Sequence, residues 1–221
     1  MTMNMKMIMK NAAYVILAMS FLNNAILAEE KKNLETGINN LQSEWARIYY
    51  QVPDHELQEE EIDKLAIRAH ELSDDFPGRA EPKIWEGIIL STSASINGGF
   101  SALGKVKRAR VLFEEALKID ELALDGSAYT SLGSLYYQVP GWPIAFGDDE
   151  EAEELLLKAL TINPDGIDPN YFYGDYLAEQ GRLSEAKKHL EKALTAPDRP
   201  GRSLADKGRR QEIKAALEEI N

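Results

Sequence analysis

The run N-Y-F-Y-G-D-Y-L-A-E-Q-G-R-L-S-E-A-K-K-H-L-E-K-A-L, Asn170 to Leu194, sets Gly174, Ala186, Leu190 and Ala193 at intervals of 12, 4 and 3 residues. This is a small/small/large/small frame. Two antiparallel helices approach closely only where small residues face each other, and Gly174 and Ala186 supply them. Leu190, one turn later, fills the gap, and Ala193 leaves room for the next pair to stack.

The same frame fits two earlier segments. In one, Gly133 and Tyr136 sit on the first helix and Ala152, Leu156 and Ala159 on the second, closed by Pro164. In the other, Gly87 and Leu90 pair with Ala109, Phe113 and Ala116, and Asp120 ends the helix. A fourth, degenerate copy runs from Trp45 and Tyr49 to Leu65, Ala69, Leu72 and Pro77. Unrelated amphipathic helices would not repeat a 4-then-3 spacing three times.

On these residues, from about Leu34 to Leu194, the chain resembles the tetratricopeptide-repeat superfamily. The resemblance implies an all-α fold: a right-handed TPR-like solenoid of three to four helix pairs with a C-terminal capping helix, and a partner-binding role rather than an activity. The expected organisation is a signal peptide over 1–28 and a helical domain over 29–221. Its repeats fall at about 34–77, 80–121, 126–164 and 167–198, with the capping helix at 203–220.

Composition narrows the partners. The chain has 221 residues, 44% of them apolar, enough for one domain or a short solenoid. Its formal charge is −12, and its pI is near 4.8. Such a surface repels nucleic-acid phosphates and anionic membranes. No cysteine is present, which removes disulfides, thiolate metal sites, cysteine nucleophiles and a lipoprotein attachment residue. His55, His70 and His189 share no metal-ligand spacing, and no cofactor is expected.

At the N-terminus, Lys6 and Lys10 precede an apolar run from Ala12 to Leu22, and A-I-L-A ends at Ala28 before E-E-K-K. A charged region, a short hydrophobic core and a small residue are expected to be a signal peptide cleaved after Ala28, the alternatives being an uncleaved anchor or a buried helix. The run is shorter than the roughly 20 apolar residues that span a bilayer. The expected location is periplasmic or secreted, without a lipid tether.

Helical periodicity predicts helices over Leu34–Val52, Glu59–Phe76, Lys83–Ser95 and Val106–Ile119. F-P-G-R-A-E-P is expected as a turn, and the Gly98–Gly99 pair as a helix stop. Asp125 or Ser127 should cap the next helix, which runs to Gln138. Asp148 and Glu151 should form a capping box for Glu150–Ile162. Asp168 should cap a helix with Pro169 at its first position. After P-D-R-P-G-R, a helix over Ser203–Ile220 carries the stripe Ile213, Leu217 and Ile220 to cover the last repeat. Arg199, Arg202, Arg209 and Arg210 either contact an acidic neighbour or are solvated, and the solvated reading is the expected one.

Two frames depart from the 12-residue interval. Gly133 to Ala152 spans 19 residues and Gly87 to Ala109 spans 22, insertions of seven and ten at the same end of each pair. Insertions at equivalent places project from one edge, and such edges often bind. The shorter one lies in Q-V-P-G-W-P-I-A-F-G-D-D, Gln138 to Asp149. There Trp142 and Phe146 either fold back to plug a gap between repeats or form an aromatic hot spot for a partner.

That P-G-W-P-x-x-F-G-D string, with Y-F-Y-G-D downstream, resembles a group of small exported bacterial repeat proteins. The group is similar to the T component of tripartite (TRAP-type) transporters, and the likeness covers about Ala80 to Ile220. It implies docking of a periplasmic substrate-binding protein. One departure is that T components are typically lipoproteins, whereas this chain has no cysteine to acylate.

In such repeats the concave face is lined by positions 2, 5, 9, 12 and 13 of each unit. Here these are Glu81, Ile84, Ile88, Ser91 and Thr92, then Ser127, Thr130, Ser134, Tyr137 and Gln138, then Asp168, Tyr171, Asp175, Ala178 and Glu179. With no lysine among them, the groove is expected to favour a neutral or basic ligand. The candidate binding residues are Tyr137, Gln138, Trp142, Phe146, Tyr171, Asp175 and Glu179.

No G-x-S-x-G elbow, phosphate loop, H-E-x-x-H or dinucleotide fingerprint occurs, and paired acids such as Asp148/Asp149 sit at helix ends. The expectation is a non-enzymatic adaptor that binds another protein. Alternatives are an envelope-assembly scaffold and a small-molecule binder using the groove.

Overall fold

The computed structural model describes residues 28–220, apart from the Phe100 side chain. The expected signal peptide falls almost wholly on residues outside that range. Residues 28–37 are helical and belong to a unit separate from Ile38–Asn221. The second unit is an all-α helical repeat solenoid. Its elements are α1 (38–51), α2 (His55–Asp75), α3 (Ala80–Asn97), α4 (Gly99–Ile119), α5 (Ala123–Gln138), α6 (Asp149–Ile162), α7 (Ile167–Glu179), α8 (Leu183–Leu194) and α9 (Ser203–Glu219). Among the described residues there is no strand, only an isolated bridge between Gly141 and Gly147.

Helices pair as α3 with α4, α5 with α6 and α7 with α8, and the first helices of successive pairs, α3, α5 and α7, lie side by side. The nine frame residues of the second helices, Ala109 to Ala193, are all completely buried. Glycine does more at the crossings than admit an alanine. A Cβ placed on Gly174 would lie 2.9 Å from Leu190 Cγ, one on Gly133 would lie 2.8 Å from Leu156 Cγ, and one on Gly87 would lie 2.6 Å from the Phe113 ring. Each glycine faces the large residue of its own frame. The small/large match fills the crossing at interior density.

The two insertions take different forms. Relative to α7 and α8, the longer one becomes helix: α3 continues ten residues past Gly87, whereas α7 ends five past Gly174, and α4 begins ten residues before Ala109. Gly98 alone connects them, at φ 62°, ψ −166°, a conformation open essentially to glycine. No loop projects there. The extended tips are tied to α2, where Asp63 accepts hydrogen bonds from Ser93 Oγ (2.6 Å) and Lys105 Nζ (2.8 Å). The shorter insertion remains a loop between α5 and α6.

Helix starts differ from expectation where backbone donors find other acceptors. α2 begins at His55 because Asp54 caps it, accepting from Leu57 N at 2.9 Å. Ala80 and Pro82 belong to α3, since proline is tolerated in a first turn. Leu124, Asp125 and Gly126 are all left-handed, so α5 opens on a kinked turn rather than a side-chain cap. Asp168 is no cap either: α7 starts at Ile167, with Gly166 before it. Asn170 fixes that turn instead, donating to the Pro164 and Gly166 carbonyls at 2.8 and 2.9 Å.

Asp148 does cap α6, accepting from Glu150 N and Glu151 N at 3.0 and 3.2 Å. The reciprocal half of the box is missing, because Asp148 N donates to the Tyr136 carbonyl at 2.9 Å. Asp148→Ala should therefore cost about 1 kcal/mol, seen as a lower urea midpoint with an unchanged slope.

The C-terminal segment turns back rather than only covering the last repeat. α9 packs its Ile213 and Leu217 stripe against Leu190 and Ala193 of α8. Its opposite side reaches α1, where a Cβ on Gly208 would overlap the Tyr50 ring.

Candidate functional site

The inner helices and the C-terminal segment enclose a cavity of about 820 Å³, within the range of ligand pockets. Its wall includes most of the expected concave positions, among them Ile88, Thr92, Ser127, Thr130, Gln138, Tyr171 and Glu179. Residues outside the repeat frame complete it. Trp45 and Tyr49 come from α1, stacked at 5.5 Å and 10°, and Trp85 comes from α3, edge-on to Trp45 at 6.0 Å. Trp45 Nε1 donates to Thr92 Oγ1 at 2.9 Å, which holds the indole against the groove.

Three of the four arginines expected to be solvated, Arg199, Arg209 and Arg210, are held by acceptors of the protein itself. Arg199 donates to both Asp168 and Asp206, the Asp206 contact being 2.7 Å. Arg209 donates Nε to Asp168 at 3.0 Å and Nη1 to Glu212 at 2.6 Å. Its guanidinium also lies 4.4 Å above the Tyr171 ring and 4.8 Å above Phe172. Arg210 bonds the Ala196 carbonyl (2.9 Å) and Asp198 (2.7 Å). Burial alone would raise the Asp168 pKa, yet the Arg199, Arg209 and Arg202 charges together hold it far below the ordinary aspartate value.

This bears on the basic half of the expected preference for a neutral or basic ligand. Asp168, the leading acid of the groove, is taken by the protein's own arginines. Asp175 accepts a 2.7 Å bond from the Tyr137 hydroxyl, whose oxygen in turn accepts from Gln138 Nε2 at 3.1 Å. Burial pushes the pKa of Tyr137 well up, with Asp175 adding to it, so the phenol stays a donor. Burial also raises the Asp175 pKa, and raises that of Glu179 with help from Asp175. Gln138, Tyr171 and Glu179 line the cavity, whereas Tyr137 and Asp175 lie outside its lining and are joined by their own hydrogen bond.

Trp142 and Phe146 part company. Phe146 is anchored, edge-on to Tyr136 at 5.5 Å and beneath the Arg110 guanidinium at 4.7 Å. Trp142 is 89% exposed and Ile144 61%, at the tip of the same loop. The loop is ordered by its own backbone: Gly147 N donates to Pro140 O at 3.0 Å and Ile144 N to Gly141 O at 3.1 Å. A Cβ on Gly147 would overlap the Val139 carbonyl oxygen, so the turn closes only around glycine.

Among the described residues no His, Cys, Asp and Glu cluster is placed to hold a metal ion, and no helix is long and apolar enough to cross a membrane. The sequence frame missed Trp45, Trp85 and Arg202. One signal was available: Arg202 and Arg209 lie seven residues, two helical turns, apart and so share a face.

A tetratricopeptide-repeat family model matches residues 167–198, the segment holding α7 and α8. No curated protein matches the chain significantly. The chain therefore contains a tetratricopeptide repeat, a motif that suggests a role in protein–protein interaction.

Proposed function

We propose that this chain is a non-catalytic adaptor, exported to the periplasm, that docks another protein through the Trp142–Ile144 tip. The observation that carries this is an indole left almost wholly in water on a loop held rigid by Phe146 and its own hydrogen bonds. A rigid, pre-paid aromatic loses little entropy on binding, which is the character of an interface hot spot. The partner class we favour is a substrate-binding protein of a TRAP-type transporter, in line with the P-G-W-P-x-x-F-G-D resemblance. An envelope-assembly scaffold would use the same tip for a different partner.

The test is photo-crosslinking from position 142 in the envelope, followed by binding of the captured, purified partner to wild type and Trp142→Ala. The expected loss is at least about 30-fold in affinity, since a hot-spot aromatic contributes about 2 kcal/mol or more. Stability should change by less than about 0.5 kcal/mol, because the side chain is exposed. Equal affinity of the two proteins would sink the proposal.

A further inference from the structure

The cavity wall divides by charge along the chain. The part contributed by α1 to α7 and their loops holds four acids, Asp125, Asp165, Asp168 and Glu179, and no lysine, arginine or histidine. All three arginines of the wall, Arg199, Arg202 and Arg209, belong to the C-terminal segment 197–219. Among the described residues, both cations that hydrogen-bond to Asp168, Arg199 and Arg209, come from that segment. Arg209 is seated on the Tyr171 and Phe172 rings at 4.4 and 4.8 Å, and Arg202 lies 5.0 Å over Trp85. A carboxylate beside aromatic faces is a guanidinium site, and here the chain's own tail fills it. The tail is also one body. Arg199 donates from N and Nε to Asp206 at 2.8 and 2.7 Å, and Arg210 pairs with Asp198 at 2.7 Å. Within α9, Ile213 is the one large apolar side chain that is completely buried; its other buried residues are Ala205, Asp206 and Gly208. An element with so little apolar burial opens at lower free energy than the helix pairs.

We propose that residues 197–219 are an intramolecular occupant of the groove, standing in for an arginine-bearing peptide segment of a partner, which pairs with Asp168 when the tail lifts. An incoming guanidinium replaces Arg209 on Asp168, so the exchange leaves no buried charge uncompensated. Tail and partner compete, and the partner's apparent affinity falls with the fraction of chains whose tail is lifted. The acids of the repeat wall select a basic segment over an acidic one. No residue of the Trp142 loop lines this wall, so the surface is separate from the docking tip and stands or falls without it.

The experiment is fluorescence anisotropy of a labelled synthetic peptide, residues 197–220 of this chain, titrated with full-length proteins. A peptide with Arg199, Arg202 and Arg209 replaced by glutamine is the control. The double variant Arg199→Gln/Arg209→Gln keeps the groove and weakens the tail. It should bind the natural peptide about tenfold or more tighter than wild type does, and about tenfold or more tighter than it binds the control. Adding Asp168→Asn to the double variant should weaken the natural peptide by about tenfold or more. Should the double variant fail to fold, Gly208→Ala carries the test. Its Cβ would overlap the Tyr50 ring, which loosens the tail with every charge in place and should likewise tighten peptide binding. The proposal is overturned if the folded variants bind no peptide up to about 1 mM, or if wild type binds it as tightly as they do. Equal affinity for the control peptide, or undiminished affinity with Asp168→Asn, would overturn it too.

Discussion

Phe113→Ala is expected to lower the unfolding free energy by about 3–5 kcal/mol, the range for emptying a buried aromatic site. Phe113 is completely buried, and its ring edge lies against the Cα of Gly87, where an added Cβ would come within 2.6 Å of it. The reciprocal change tests the same contact. Gly87→Ala alone gains up to about 1 kcal/mol of helix propensity, but overpacking of about 1–3 kcal/mol against a ring that cannot move outweighs it. In the Phe113→Ala background the obstruction is gone, and Gly87→Ala becomes neutral or stabilising by up to about 1 kcal/mol. Urea unfolding of the four proteins should give a coupling energy of about 1–3 kcal/mol. Additive effects would mean that α3 and α4 do not cross at these residues.

Asp168→Asn should cost about 3 kcal/mol. It leaves Arg199 and Arg209 facing a neutral amide, and uncompensated buried charges are expensive. Such losses run to about 3–5 kcal/mol, and the lower end applies because 28% of the Asp168 side chain still meets solvent, against 12% for Arg209. Folding lowers the Asp168 pKa, so the unfolded chain takes up this proton at a higher pH than the folded one. The contribution is therefore complete above the ordinary aspartate value of about 3.9 and is lost as pH falls through the depressed folded value. Wild-type stability should decline below about pH 4, and Asp168→Asn should decline less steeply over the same interval. Amide exchange should locate the damage: α9 protection falls, while α3 and α4 keep theirs. Equal slopes below that pH would remove Asp168 from this role.

The two predictions differ in how far they were written into the chain. The Gly87–Phe113 contact follows from a frame of fixed intervals within one helix pair. The Asp168 cluster was misjudged in sequence twice over: Asp168 was expected as a cap and the arginines as solvated. Both errors have one cause. An acid before a proline and four basic residues near a terminus have ordinary local meanings, and nothing local says that the segment after Leu194 folds back into the groove. Trp142 and Phe146 make the same point on a smaller scale. Sequence offered two fates for these rings, plugging a gap or standing out for a partner, but which ring took which depended on Tyr136 and Arg110.

Sequence by itself determined the helix pairs, because glycine, alanine and a large apolar residue at set offsets match within a few tens of residues and need no distant help. It also pointed, through the resemblance to tetratricopeptide repeats, to most of the repeat-helix residues that line the cavity. Only tertiary structure turned ten inserted residues into longer helices bound to Asp63, and only it set Arg202 of the C-terminal segment on Trp85, 117 residues away. Those outcomes join chain segments whose meeting is fixed by packing over the whole unit, and no local interval encodes it.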